Sequence, residues 1–400
     1  MVTPDRVEVI LDNRVVGTLA HYGRYQTAFE YSAEWIQDGY SISPFSLPLE
    51  RGVKIANITP FDGMFGIFED SLPDGWGRLL VDRMLRREGE DPDAVDALSR
   101  LTIVGSSGLG ALEYRPVYKG TEDVKAGNLD HIADECAKIL RSEESDDLDM
   151  LLALGGSSGG ARPKIMLDLD GEDWIVKFPS SADPKNIGLM EYEYTECARA
   201  CGIEVPETRL LHSDNCSGYF ACRRFDRITH PDGLKTGEKL HMASASALLE
   251  VSHRMPSLDY TSLMSLAWQL TKKTNEVEKM YRLMCFNVYA HNRDDHSNNF
   301  TFLCDKGEWR LSPAYDLTYS NSIGGEHATT IAGEGKNPTI KDILEVAKRC
   351  GINERKAKEI AKEIEETVRT RLNQYVNYPP LVEAGACDCP AVRGFCLLHL

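Results

Sequence analysis

At 400 residues, with 42% hydrophobic and 27% charged side chains, the chain has the make-up of a folded globular protein with two domains or more. A net charge of −17 argues against a broad nucleic-acid footprint of its own, because phosphate binding needs clustered Lys and Arg. No run approaches 18 uncharged apolar residues and no basic-then-apolar leader is visible, so the expectation is a cytoplasmic chain with no membrane partner.

The first stretch reads as β-rich. "RVEVILDNRVVGTLA" alternates on both sides of Asp12-Asn13, a hairpin signal, and "YQTAFEYSAEWI" adds a strand and turn. A helix should start near Ser71 to Asp74 and run through "GWGRLLVDRMLRREG". "RLTIVGSSGLGALEYRPV" follows as a helix end, a glycine-rich turn and a strand. The polar run from Pro116 to Asn128 places a domain boundary near residue 120.

Beyond it, "LDHIADECAKILRS" reads as an amphipathic helix, then an acidic link and the Gly/Ser loop "GGSSGGARPK". Strands over 164–169 and 174–178 flank an Asp170-Gly171 turn, and "NIGLMEYEYTECARACG" is a helix stopped by Gly202. Two more strands lie in "TRLLHSDNCSGYFACRRFD". From about Thr236 the periodicity is helical, interrupted by a hairpin turning at Asp305-Lys306-Gly307. Residues 121–376 thus divide into a β-rich part with one helix, about 125–230, and a helical part, about 236–376. The 11 cysteines, odd in number and mostly scattered singly, read as reduced thiols. The segment 377–400 gathers Cys387, Cys389, Cys396 and His399, whose C-x-C spacing fits a loosely ordered tail better than a zinc knuckle.

Three features carry chemistry. In the loop, Ser157, Ser158, Gly159, Gly160 and Ala161 let backbone N–H groups approach an anion, although flexible Gly/Ser turns are common. Lys177, late in an apolar strand, is either a solvated edge residue or a phosphate ligand oriented by Glu191 on the next helix. "RDDHSNNF" is either a polar turn or an R-D-x-x-x-x-N catalytic loop. In the second reading Asp294 takes a proton, Asn299 holds a metal, and the hairpin returns Asp316 to that metal. His296 fits a supporting role better than that of the base. The kinase order of the three features favours the functional readings.

In this order "GGARPK", "IVKFP", "MEYEY", "GIEVPET", "RRFDR", "RDDHSNNF" and "LSPAYDL", preceded by "SPFSLPLERG" and "FDGMFGIFEDSLPDGWGR", resemble the HipA-like serine/threonine kinases of bacterial toxin–antitoxin systems along nearly the whole chain. The resemblance implies an α+β fold: a protein-kinase-like bilobal core, with a small β-rich lobe and a larger mostly helical lobe, preceded by a β-rich N-terminal subdomain over 1–120. It implies ATP and Mg²⁺ as cofactors. The loop from Ser157 to Lys164, with Lys177, would contact the ATP phosphates. Arg223 and Phe225 would form the adenine hinge, with Asp226 near the ribose. His296 joins the nucleotide site, Asp294 is the catalytic base, and Asn299 and Asp316 bind Mg²⁺.

The resemblance further implies a protein substrate, a small DNA-binding antitoxin partner, and autophosphorylation at Ser157 or Ser158. Arg162-Pro163 and Arg223 depart from the family's best-known loop (Gln-Glu) and hinge (Glu). An alternative is a nucleotide-binding subunit that acts with a DNA-binding antitoxin as co-repressor. The helix after "PDGWG" lies far in sequence from these motifs, which assigns it to packing or partner contacts.

Overall fold

The computed structural model describes residues 4–118, 128–229 and 235–376. The expected boundary near residue 120 and the Cys/His tail lie outside these residues. The N-terminal part is a five-stranded antiparallel sheet of order β4-β3-β2-β1-β5, built from β1 (Arg6–Leu11), β2 (Arg14–Tyr22), β3 (Gln26–Tyr31), β4 (Lys54–Ile55) and β5 (Glu113–Arg115). Asp12 and Asn13 both adopt positive φ, as a two-residue primed turn requires, and join β1 to β2. Helices α1 (Ala33–Asp38), α2 (Gly66–Glu69), α3 (Gly75–Arg87) and α4 (Ala97–Val104) complete this part. Where the sequence pattern suggests only a turn after β3, Ser32 caps the short helix α1.

The second part holds α5 (Leu129–Leu140), α6 (Leu148–Gly155), β6 (Lys164–Leu169), β7 (Glu172–Lys177), α7 (Ile187–Ala200), β8 (Thr208–Leu211) and β9 (Tyr219–Arg223). Its strands form an antiparallel sheet of order β6-β7-β9-β8. Three helices accompany this sheet: α5 and α7 lie on the two stretches whose pattern reads as helix, and α6 is additional. The stretch read as an acidic link folds in part as α6, whose sequence LDMLLALG is apolar almost all round and so shows little of the one-sided spacing that marks a helix.

In the third part, β10 (Arg227–Thr229) pairs with β11 (Lys235–Lys239), and β12 (His241–Ser244) precedes α8 (Ala245–Leu249). Next come β13 (Leu258–Asp259), α9 (Tyr260–Thr271), α10 (Thr274–Tyr289), β14 (Thr301–Asp305), β15 (Glu308–Leu311), β16 (Thr329–Thr330), α11 (Ile340–Arg349) and α12 (Glu354–Arg371). The expectation of helix from Thr236 is corrected at 235–244. β12 supplies the outer strand that pairs with β14 of the anticipated hairpin, a long-range contact with no local signature.

Burial does not follow the three parts. One core joins Val7, Leu19 and Phe29 of the first sheet to Leu263, Met284 and Ile364 of the helical part. A second core joins Trp76 and Leu80 of α3 to Ile132, Leu151, Ile165, Trp174 and Tyr219 around the four-stranded sheet. The fold is α+β, with a β-rich N-terminal region on a core of a four-stranded antiparallel sheet followed by a mostly helical part.

Candidate active site between the four-stranded sheet and the catalytic-type loop

β7 ends on Lys177, directly opposite Phe220 of β9. Its ammonium donates to Glu191 Oε1 on α7 and to Asp316 Oδ1 beyond β15, joining the second feature singled out in the sequence to the aspartate that follows the third. Burial works against the charge, but the two carboxylates outweigh it and raise the Lys177 pKa. Burial likewise opposes ionisation of Asp316, yet Lys177 and Lys164 hold its carboxyl below the usual range. Asp316 has φ 54°, a left-handed conformation uncommon for a non-glycine residue. Lys164, at the start of β6, pairs in register with Lys177, and burial lowers its pKa.

The "RDDHSNNF" segment follows α10 and leads into β14 through a single 3-10 turn, Ser297–Asn299. Asp294 points outward, its side chain 60% exposed. Asn299 donates Nδ2 to the Asp294 carbonyl at 2.6 Å, which leaves its amide oxygen as the group for a cation. His296 Nδ1 accepts from the Asn298 amide at 3.3 Å, and its Nε2 lies 3.8 Å from Asp294 Oδ1. Burial lowers the His296 pKa.

The glycine-rich loop lies between α6 and β6. Ser157 Oγ donates to the Ser107 carbonyl at 2.8 Å, whereas Ser158 is buried and donates to the Gly155 carbonyl at 2.6 Å. A Cβ at Gly159 would meet nothing, and one at Gly160 would lie 2.9 Å from the Lys164 ammonium. Arg162 forms an ion pair with Asp183 at 3.0 Å.

The "RRFDR" segment distributes its groups differently from the expectation. Phe225 faces Tyr315, ring centroids 5.8 Å apart, and Arg223 reaches outward to Glu172 at 2.7 Å. Asp226 is buried. It accepts from Arg224 and Arg227, each at 2.7 Å, and from the Gly110 amide at 2.7 Å. Arg224 and Arg227 also donate to the Gly108 carbonyl at 3.1 and 3.0 Å. The Asp226 carboxylate, expected near the ribose, here ties the "RRFDR" segment to the glycine turn of the N-terminal part.

Residues 156–372 match the HipA-like C-terminal domain family, and residues 7–115 match the HipA N-terminal domain family. The chain belongs to the HipA-like family. A Sinorhizobium fredii protein named "Putative kinase Y4mE" is 27% identical over 336 residues, 76% of this chain and 75% of that protein. The solved Shewanella oneidensis MR-1 toxin–antitoxin complex of HipA, HipB and operator DNA matches with a TM-score of 0.68. That match has 18% identity and covers 94% of this chain and 92% of the matched chain. Among the described residues, no helix is long and apolar enough to cross a membrane.

Sequence reasoning missed several residues of this HipA-like site. Asp295 is buried and accepts from Tyr260 Oη at 2.8 Å, His327 at 2.8 Å and the Ala328 amide at 2.8 Å. Arg293, already singled out as the first residue of the R-D-x-x-x-x-N spacing, donates to the Gly325 carbonyl at 2.6 Å. Together they fasten the segment around 325–329 behind the loop. The doubled Asp of "RDDH" was the available signal, since two adjacent carboxylates on an extended turn face opposite ways.

Proposed function

We propose that this HipA-like chain is an ATP- and Mg²⁺-dependent serine/threonine protein kinase that phosphorylates a cellular protein, such as a translation component, to arrest growth. The observation that carries the reading is the Lys177 ammonium held between Glu191 and Asp316, with Asp294 exposed on the loop that precedes Asp316 in the chain. Strand lysine, helix glutamate and metal-facing aspartate are the parts that phosphoryl transfer needs, because positioning and charge stabilisation supply most of its catalysis.

In this reading Lys177, oriented by Glu191, contacts phosphate oxygens, and the loop from Ser157 to Lys164 covers them with backbone N–H groups. Asp294 accepts the proton of the attacking hydroxyl, with His296 Nε2 beside it. Phe225 and Tyr315 border the base, and Arg223 lies at the rim. Asn299 Oδ1 and the Asp316 carboxylate are hard oxygen donors that fit Mg²⁺. The cation, when bound, neutralises charge on the transferring phosphoryl group. The complex of HipA, HipB and operator DNA supports a small DNA-binding antitoxin as partner. Autophosphorylation in the loop would place about −1.5 to −2 charges beside the nucleotide phosphates and switch the enzyme off.

Purified protein with labelled ATP and Mg²⁺ tests the reading. Label on the chain itself or on a protein of a cell extract is expected, and its complete absence from both sinks the proposal. ATP binding without any transfer would leave the co-repressor alternative.

A further inference from the structure

The glycine-rich loop is held from outside the kinase-like core. α3 starts against it: the Trp76 amide donates to the Gly160 carbonyl at 2.8 Å, and Trp76 Nε1 donates to the Lys164 carbonyl at 3.1 Å. The first amides of a helix have no acceptor within the helix, and the Asp74 side chain does not cap α3. A loop carbonyl therefore does the capping. The approach is close enough to require glycine: a Cβ at Gly77 would lie 2.2 Å from the Ser158 carbonyl oxygen, and one at Gly75 would lie 2.2 Å from that of Gly160. Ser107 accepts from Ser157 at the other end of the loop. The same turn continues to Gly108 and Gly110, which are bound by Arg224, Asp226 and Arg227 of the hinge segment.

We propose that the N-terminal part is the positioning device of the nucleotide loop, with Trp76 and Gly77 of α3 and Ser107 of the glycine turn latching residues 157–164 over the site. This inference rests on the reading of the site as a nucleotide site. Gly156, Gly159 and Gly160 give the loop little conformational preference of its own. An unlatched loop populates its closed form only in part, and nucleotide affinity falls by that fraction. Trp76 and Gly77 thus act through the loop and are positioning residues. Chemistry at Asp294 proceeds as before once nucleotide is bound.

Gly77→Ala tests the latch, because Gly77 sits in the first turn of α3 and its added Cβ presses on the loop backbone at Ser158 and Gly156. The first readout is amide hydrogen exchange of the full chain without nucleotide, in peptides covering 74–80 and 156–163. Faster exchange at the Trp76 amide and in the loop is expected, with 80–87 still protected. Unchanged exchange overturns the latch. The second readout is steady-state phosphotransfer: KM for ATP should rise about tenfold or more while kcat stays within a few-fold. A fall in kcat at unchanged KM also overturns it. Arg78→Ala, on the same helix with its side chain 48% exposed, should leave both readouts at the parent values. If Gly77→Ala does not fold, Trp76→Phe keeps an aromatic ring and removes the Nε1 donor, and unchanged loop exchange in that variant overturns the proposal. A parent that neither binds nor transfers phosphate would defeat the kinase reading, while the exchange measurement would still decide the latch.

Discussion

Asp294 and Asp295 are neighbours in the chain and opposites in environment: the Asp294 side chain is 60% exposed, and that of Asp295 is 0% exposed, enclosed by Tyr260, His327 and two backbone amides. Two carboxylates one residue apart therefore have separable effects. Asp294→Ala should lower phosphotransfer by roughly 10²–10⁴ and leave the unfolding midpoint nearly unchanged. Asp295→Ala strands several buried donors and should cost about 3–5 kcal/mol of stability. Denaturant unfolding beside a transfer assay checks both, and a stable Asp295→Ala with ordinary unfolding would refute the buried network.

Asp316→Asn removes the charge that meets Lys177 and that the proposed Mg²⁺ site would use. Mg²⁺-dependent nucleotide binding should weaken roughly 10–100-fold, the equivalent of about 1.5–3 kcal/mol for a charge-assisted contact. Calorimetry across a Mg²⁺ titration measures it. An unchanged titration would mean that Asp316 does not meet the metal.

His241 gives the fold an acid limb. It is buried between the Ile42 carbonyl, 2.8 Å from Nε2, and the Trp309 ring, and burial lowers its pKa to about 4. The unfolded chain takes up this proton near pH 6.5, well before the folded one does, so stability falls as pH drops from about 6.5 to about 4. The loss from this group is about 3 kcal/mol. His241→Gln can still donate to Ile42 and should flatten that part of the stability–pH curve; an identical slope in parent and variant would clear His241.

Of the two loop serines, Ser157 is the expected phosphorylation site. Its hydroxyl is half-buried and held by a single contact to Ser107, whereas Ser158 is 1% exposed and turned into its own loop. After incubation with Mg²⁺-ATP, peptide mass spectrometry should find phosphate on Ser157. Phosphate on Ser158 alone would contradict this, and its absence from both in an active enzyme would remove the switch.

What can be read in the sequence is local. The β6–β7 and β14–β15 hairpins show in the alternation around Asp170-Gly171 and Lys306-Gly307, and the spacing within "RDDHSNNF" places Asp294 five residues before Asn299. The pairing of Lys177 with Glu191 is legible because helix α7 follows β7 closely. Distant contacts are not. Nothing near Trp76 in the sequence points to Gly160, 84 residues on, so the pattern after "PDGWG" speaks only for packing or partner contacts when the helix also touches the loop. The resemblance puts Asp226 near a ribose, and its flanking arginines give no sign in the sequence that they turn inward onto Gly108 and Gly110.

The shared core has a consequence for the order of events during synthesis. Val7, Leu19 and Phe29 of the first sheet belong to the same continuous core as Leu263, Met284 and Ile364, which are synthesised much later. At about 5–20 residues per second, the ribosome needs on the order of ten seconds to a minute to reach the last of these after β5 has emerged. Throughout that interval the core that the N-terminal part shares with the later helices is incomplete: α2, whose Gly66 lies against Ala247 of α8 in the finished fold, waits for that neighbour, open to a holdase or to a neighbouring nascent chain. Slower translation between β5 and α12 should therefore lower the yield of folded protein.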